Sequence, residues 1–118
     1  MLNLETLEAD AMVVVVTQHA VTGAVLMVAF ADREALERTL ATGEMHYRSR
    51  RRGLWHKGAT SGDTLDLVDV RVNCEQNSLL YRVRPRTGGV CHTKDGEGAA
   101  RTTCYYRVAD EAGALRFP

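Results

Sequence analysis

The chain has 118 residues, room for one hydrophobic core and not two, and reads as a single domain over residues 1–118. Its 15 basic and 15 acidic side chains cancel to a formal charge of zero, so no global field recruits nucleic acid or an anionic membrane. The start "MLNLETLEAD" lacks the basic head and apolar core of a secretory signal, and no apolar run is long enough to span a bilayer, which together point to the cytoplasm.

A short helix is expected near residues 4–9. "AMVVVVTQHA" and "GAVLMVAFA" are β-branched, apolar runs parted by Thr22-Gly23, the pattern of a hairpin. A helix follows, capped by Asp32, continued by "REALERTLA" and stopped by Gly43, with Ala35, Leu36, Thr39 and Leu40 as its core stripe. "MHYRSR" returns to an extended pattern, and "RRGLWHKGATSGD" reads as a long polar loop with a lone tryptophan, the kind of loop that usually carries function. "TLDLVDVRV" alternates with a slip near Val68 that predicts a bulge, and "SLLYRVRP" is its hairpin partner, ended by Pro85. The glycine-rich stretch that follows regains a strand pattern at "TCYYRV". The fold class is therefore α+β, mainly antiparallel strands with one or two helices.

Three cysteines cannot all pair internally, and a reducing compartment favours a metal or catalytic use over a disulfide. Cys74, Cys91 and Cys104 form no CxxC knuckle, and a free cysteine also serves as a small apolar filler. Three thiolates would nevertheless suit a catalytic zinc with one open position, and His92 beside Cys91 would complete a structural site instead. His92 is also the best general acid or base among the four histidines, the alternative being a plain loop residue. His19 reads as structural, and His46 and His56 as hydrogen-bonding residues. On a strand, Arg48, Arg50 and Arg52 would project to one side and Arg51 to the other. Guanidinium groups next to "KGATSG" can bind phosphate, with Thr60 and Ser61 completing the cradle. That stretch has no P-loop pattern, so triphosphate hydrolysis is unsupported.

Taken together, these segments resemble the phosphoribosyl-AMP cyclohydrolases of histidine biosynthesis, from about residue 12 to residue 107. "TGAVLMVAFADREALERTLATGEMHYRSR" is similar to the family's strand, helix and strand block, and "LWHKGATSG" to its LWxKGETSG signature. "NCEQNSLL" stands in the place of its D-C-D-x-D segment, and "CHT" followed by "CYYR" resembles its Cys-His and final Cys. The resemblance implies a small homodimer with active sites at the subunit interface. It implies a zinc ion held by Cys74, Cys91 and Cys104, one of them supplied by the partner chain. The implied reaction opens the adenine ring of 1-(5-phosphoribosyl)-AMP by hydrolysis between N1 and C6, with His92 moving a proton. Ser49, Arg50, Trp55, Lys57, Thr60, Ser61 and Gly62 would contact this small-molecule nucleotide; neither nucleic acid nor a membrane is an expected partner.

The departures are specific. Where the family's three aspartates hold magnesium, this chain has Asn73, Glu75 and Asn77, a set with two charges fewer. Ala59 replaces the signature glutamate, Arg48 replaces the aromatic after "HY", and the segment before "LW" is one residue short. Extra residues, "KDGEGAAR" in part, lie between His92 and Cys104. They leave open a paralogue acting on another purine-like or heterocyclic nucleotide, and a non-catalytic zinc-stapled dimer used as a binding module.

Overall fold

Val13–His19 (β1) and Val25–Ala31 (β2) make the expected antiparallel hairpin. Gly23 turns it at φ 78, a backbone state costly for other residues. His19 has the expected structural role: its Nδ1 accepts from the backbone N–H groups of Val21 and Thr22 at 3.1 and 3.3 Å. The computed structural model describes residues 11–118, so the helix expected near residues 4–9 lies outside the described residues.

The helix α1 runs Arg33–Thr42, with Asp32 Oδ1 accepting from the Ala35 N–H at 2.9 Å and Gly43 leaving it in a left-handed conformation. Ala35, Leu36 and Thr39 are buried as expected, but Leu40 is 48% exposed. A residue four positions on is rotated by about 40° around a helix, which carries Leu40 off a narrow stripe centred on Leu36. Thr39 holds the inner position: its hydroxyl donates to Ala35 O and accepts from the His46 N–H, both at 2.9 Å, tying α1 to the next strand.

His46–Ser49 (β3) and Gly53–His56 (β4) pair as a hairpin that places Tyr47 opposite Trp55. The first part of the expected long loop is therefore a strand. Apolar Leu54 and Trp55 pack against the core, and the Ser49 hydroxyl accepts from the Arg52 N–H at 2.9 Å to close the turn. Arg50, Arg51 and Arg52 form that turn, so strand alternation does not govern where they project.

Leu65–Val72 (β5) and Ser78–Pro85 (β6) pair antiparallel, with the register slipping between Leu67 and Asp69, the bulge expected at Val68. The one pairing unforeseen in kind is parallel, β1 with β6, which completes a sheet in the order β2-β1-β6-β5. Such a pair needs a long crossover, here filled by α1 and the β3–β4 hairpin. Tyr47, Tyr81, Leu36, Met45, Leu65 and Val15 are wholly buried between these layers.

The strand expected at "TCYYRV" is absent. Val108–Ala109 (β7) pairs instead with Leu115–Arg116 (β8). Residues 103 and 104 are pinned to the edge of β2 by single bonds, Thr103 Oγ1 to Val25 O and the Cys104 N–H to Leu26 O, each 2.8 Å. No helix among the described residues is long and apolar enough to cross a membrane.

Candidate active site

A cleft of about 290 Å³ lies between the end of β4, the loop 57–63 and the segments carrying Cys91 and Cys104. The loop is a tight coil. The Lys57 N–H donates to Met45 O at 2.9 Å and the Gly62 N–H to Gly58 O at 2.8 Å. Gly58 has φ 87, and a Cβ there would stand 2.6 Å from Asp63 C and Thr64 N, so only glycine fits. Asp63 docks the coil on the next segment by accepting from the Thr87 hydroxyl at 2.6 Å.

Across the cleft, the N–H groups of Val90 and Cys91 both donate to Arg101 O at 2.9 Å. The extra residues form a closed hairpin: Lys94 bridges to Ala100, and Asp95 Oδ1 accepts from the N–H groups of Glu97 and Ala99 at 2.8 and 3.0 Å. The insertion therefore folds on itself, and Cys91 and Cys104 both line the cleft.

Electrostatically the two thiols differ. Burial raises the Cys91 pKa, but hydrogen bonds from Thr93 (Oγ1 at 3.0 Å), the neighbouring Cys104 thiol and the Lys57 ammonium outweigh it and hold the thiol below its usual range. Burial and the neighbouring Cys91 push Cys104 up to about 11. Burial pushes the Lys57 ammonium down, opposed by Asp63 and the two cysteines.

Of the residues expected to form a site, Trp55, Lys57, Thr60, Ser61, Cys91, His92 and Cys104 line this one cleft. His92 is exposed at its edge. Gly62 belongs to the coil beneath it. Ser49 and Arg50 instead line a separate open hollow of about 1140 Å³ with Arg51 and Phe30, while Arg48 is taken up in ion pairs with Asp32 and Glu34. Cys74 is exposed, on the turn between β5 and β6 with Asn73, Glu75 and Asn77, and does not line the cleft. Among the described residues no three His, Cys, Asp or Glu side chains converge as a metal site. Two thiols lining one cleft, with a histidine next to one of them, suit part of a zinc ligand set by donor chemistry.

Arg52 and His56, which were not among the residues singled out for substrate contact, also line the cleft. Arg52 lies over the Trp55 ring, 4.1 Å from its centroid. His56 stacks on His46 at 4.6 Å and meets the Glu44 carboxylate through Nε2 at 3.2 Å, so the expected hydrogen-bonding role of both histidines holds, but His56 also faces the cleft. Arg52 was legible as a cation and not as a turn residue; its run of arginines carries no signal for the hairpin that aims it.

Comparison with known proteins bears on the whole of this region. The sequence model of phosphoribosyl-AMP cyclohydrolase matches residues 27–106, more than half of the chain. The chain belongs to the phosphoribosyl-AMP cyclohydrolase family. The phosphoribosyl-AMP cyclohydrolase of Caulobacter vibrioides (strain NA1000 / CB15N) is 47% identical over 104 residues, covering 86% of this chain and 70% of that protein. That of Sphingopyxis alaskensis is 44% identical over 115 residues, covering 97% and 86%. The histidine biosynthesis bifunctional protein HisIE of Deinococcus radiodurans is 56% identical over 94 residues, covering 79% of this chain and 40% of that longer protein. The family match spans every segment that lines the cleft, whereas the β7–β8 hairpin lies beyond it.

Proposed function

We propose that the chain is a phosphoribosyl-AMP cyclohydrolase of histidine biosynthesis, opening the adenine ring of 1-(5-phosphoribosyl)-AMP. The observation that carries this reading is the gathering of Cys91, His92 and Cys104 with the "KGATSG" loop around one cleft. Water adds its oxygen to C6, the C6–N1 bond breaks, and N1 gains a proton. Cys91 and Cys104 would hold zinc, with Cys74 from a second copy completing the set in a homodimer. Zinc, when bound, supplies water acidic enough to act as a nucleophile near neutral pH. His92 stands at the cleft edge and exchanges the proton that N1 gains. Arg52 and Lys57 bring two cations, and Thr60 and Ser61 two hydroxyls, to bind phosphate, while the Trp55 ring holds the Arg52 guanidinium over its face. The free thiols suit a reducing compartment, and the cytoplasm is the proposed location.

A second reading, a paralogue with another heterocyclic nucleotide as substrate, rests on the altered Ala59, Asn73 and Asn77. The test is to offer phosphoribosyl-AMP to zinc-supplemented protein and follow product absorbance. Turnover is expected, with a fall of about 10²- to 10⁴-fold in kcat for His92→Ala. No turnover by folded, zinc-containing protein sinks the first reading, and turnover of a different purine-like nucleotide establishes the second.

A further inference from the structure

We infer that the turn between β5 and β6 is clasped by its own carboxamides and takes no divalent cation, where the family's three aspartates would hold magnesium. Asn73 Oδ1 accepts from the N–H groups of Asn77 and Ser78 at 3.0 and 2.9 Å. Asn73 Nδ2 donates to Asn77 Oδ1 at 2.6 Å, and Asn77 Nδ2 donates to Glu75 Oε2 at 3.4 Å. Below them the Gln76 N–H donates to Asn73 O at 2.9 Å. Both carboxamide oxygens are therefore already accepting from within the turn.

The decisive contact is the one between residues 73 and 77. An aspartate at 73 could still accept from the two backbone N–H groups, but it could not donate to residue 77. Aspartates at both positions would set carboxylate oxygens against each other at that contact, an arrangement that favours either a proton or a bridging cation. The asparagine pair replaces that repulsion with a neutral hydrogen bond. Magnesium demands near-ideal octahedral oxygen geometry and gives up water reluctantly, usually for carboxylates. Only Glu75 remains, and one of its oxygens is engaged by Asn77. On the other side, the Arg71 guanidinium, held by Asp69 at 3.5 Å, lines the hollow next to Asn73 and adds positive charge. Cys74 thus rides on a turn ordered by hydrogen bonds among its own residues.

The inference rests on the geometry of the turn, and its readouts do not involve turnover, so its failure and that of the proposed reaction are told apart. Magnesium chloride is titrated calorimetrically into the full-length, zinc-supplemented, nucleotide-free protein, and thermal melting is followed over the same range. Wild type should show no saturable heat and an unchanged melting midpoint up to millimolar magnesium. The Asn73→Asp/Asn77→Asp variant should melt several degrees lower without magnesium and recover, saturably, with it. Saturable binding or a magnesium-dependent rise in wild type overturns the inference, as does a double variant that matches wild type in magnesium-free buffer. Should the double variant not fold, the wild-type titration decides.

Discussion

The Arg52 guanidinium lies over the Trp55 ring at 4.1 Å, and both side chains face the cleft that holds Cys91 and Cys104. The ring face attracts the cation, and the Ser49 hydroxyl closes the turn that carries it by accepting from the Arg52 N–H. Arg52→Ala should raise KM for phosphoribosyl-AMP about tenfold, equivalent to about 1.4 kcal/mol, with a smaller effect on kcat. Arg50→Ala, in the separate hollow, should leave KM near wild type. Steady-state kinetics on both variants check this, and the reverse ranking would move the phosphate site to the hollow.

Gly58→Ala should be among the costliest single-methyl changes in the chain. The added Cβ would meet backbone atoms of Asp63 and Thr64 at 2.6 Å, and the φ of 87 is itself unfavourable for alanine. Backbone cannot yield as a flexible side chain would, so a loss of about 2–4 kcal/mol is expected, measured by urea unfolding. Gly96→Ala, with nothing near its Cβ, is the control and should stay close to wild type.

Alkaline pH should unfold the protein through its buried phenols. Burial raises the Tyr47 pKa strongly, only partly offset by the hydrogen bond with Thr17 at 2.7 Å, and burial pushes Tyr81 up to about 12. A phenol raised on folding contributes stability that is fully present below its unfolded value of about 10 and is lost as pH climbs toward the folded value. For Tyr81 the loss therefore falls between pH about 10 and about 12. Tyr47→Phe should be about 1 kcal/mol less stable at neutral pH, because Thr17 loses its partner, yet its stability should fall less steeply above pH about 10. Urea melts across that range test the crossing; parallel curves would contradict it.

Zinc content should depend on all three cysteines, and on two copies of the chain. Cys74→Ser, Cys91→Ser and Cys104→Ser should each lose the metal after dialysis. A mixed dimer of Cys74→Ser with Cys91→Ser chains keeps one intact ligand set if Cys74 crosses between copies, so mixing should restore zinc to one site of the two. Metal analysis of the separated mixed dimer decides: no recovery rules out the shared site, and a full complement in Cys74→Ser alone removes Cys74 from the ligand set.

Much of the fold was legible because it is written in neighbouring residues. The Asp32 cap and Gly43 stop, the Thr22-Gly23 turn and the slip at Val68 are each read within a few positions, and all appear where expected. Leu40 and "TCYYRV" were misread for one reason. Apolar character at a plausible spacing says that a side chain can be buried, but not whether a neighbour is there to bury it.

Local patterns of residues specify the α+β class, the capped helix, the β1–β2 and β5–β6 hairpins and, through four separate motifs, the family. The packed fold alone shows that β1 runs parallel to β6, that Arg52 rather than Arg50 faces the cleft, and that the insertion closes on itself while Cys91 and Cys104 line one cleft. It also decided that Cys74 stands apart on a turn clasped by Asn73 and Asn77. The division has a physical origin. Caps, turns and periodicity are set by backbone sterics and hydrogen bonds over a turn or two of chain. Which distant groups share a cleft depends instead on how the sheet, the helix and the loops close on one another, and no local pattern records that.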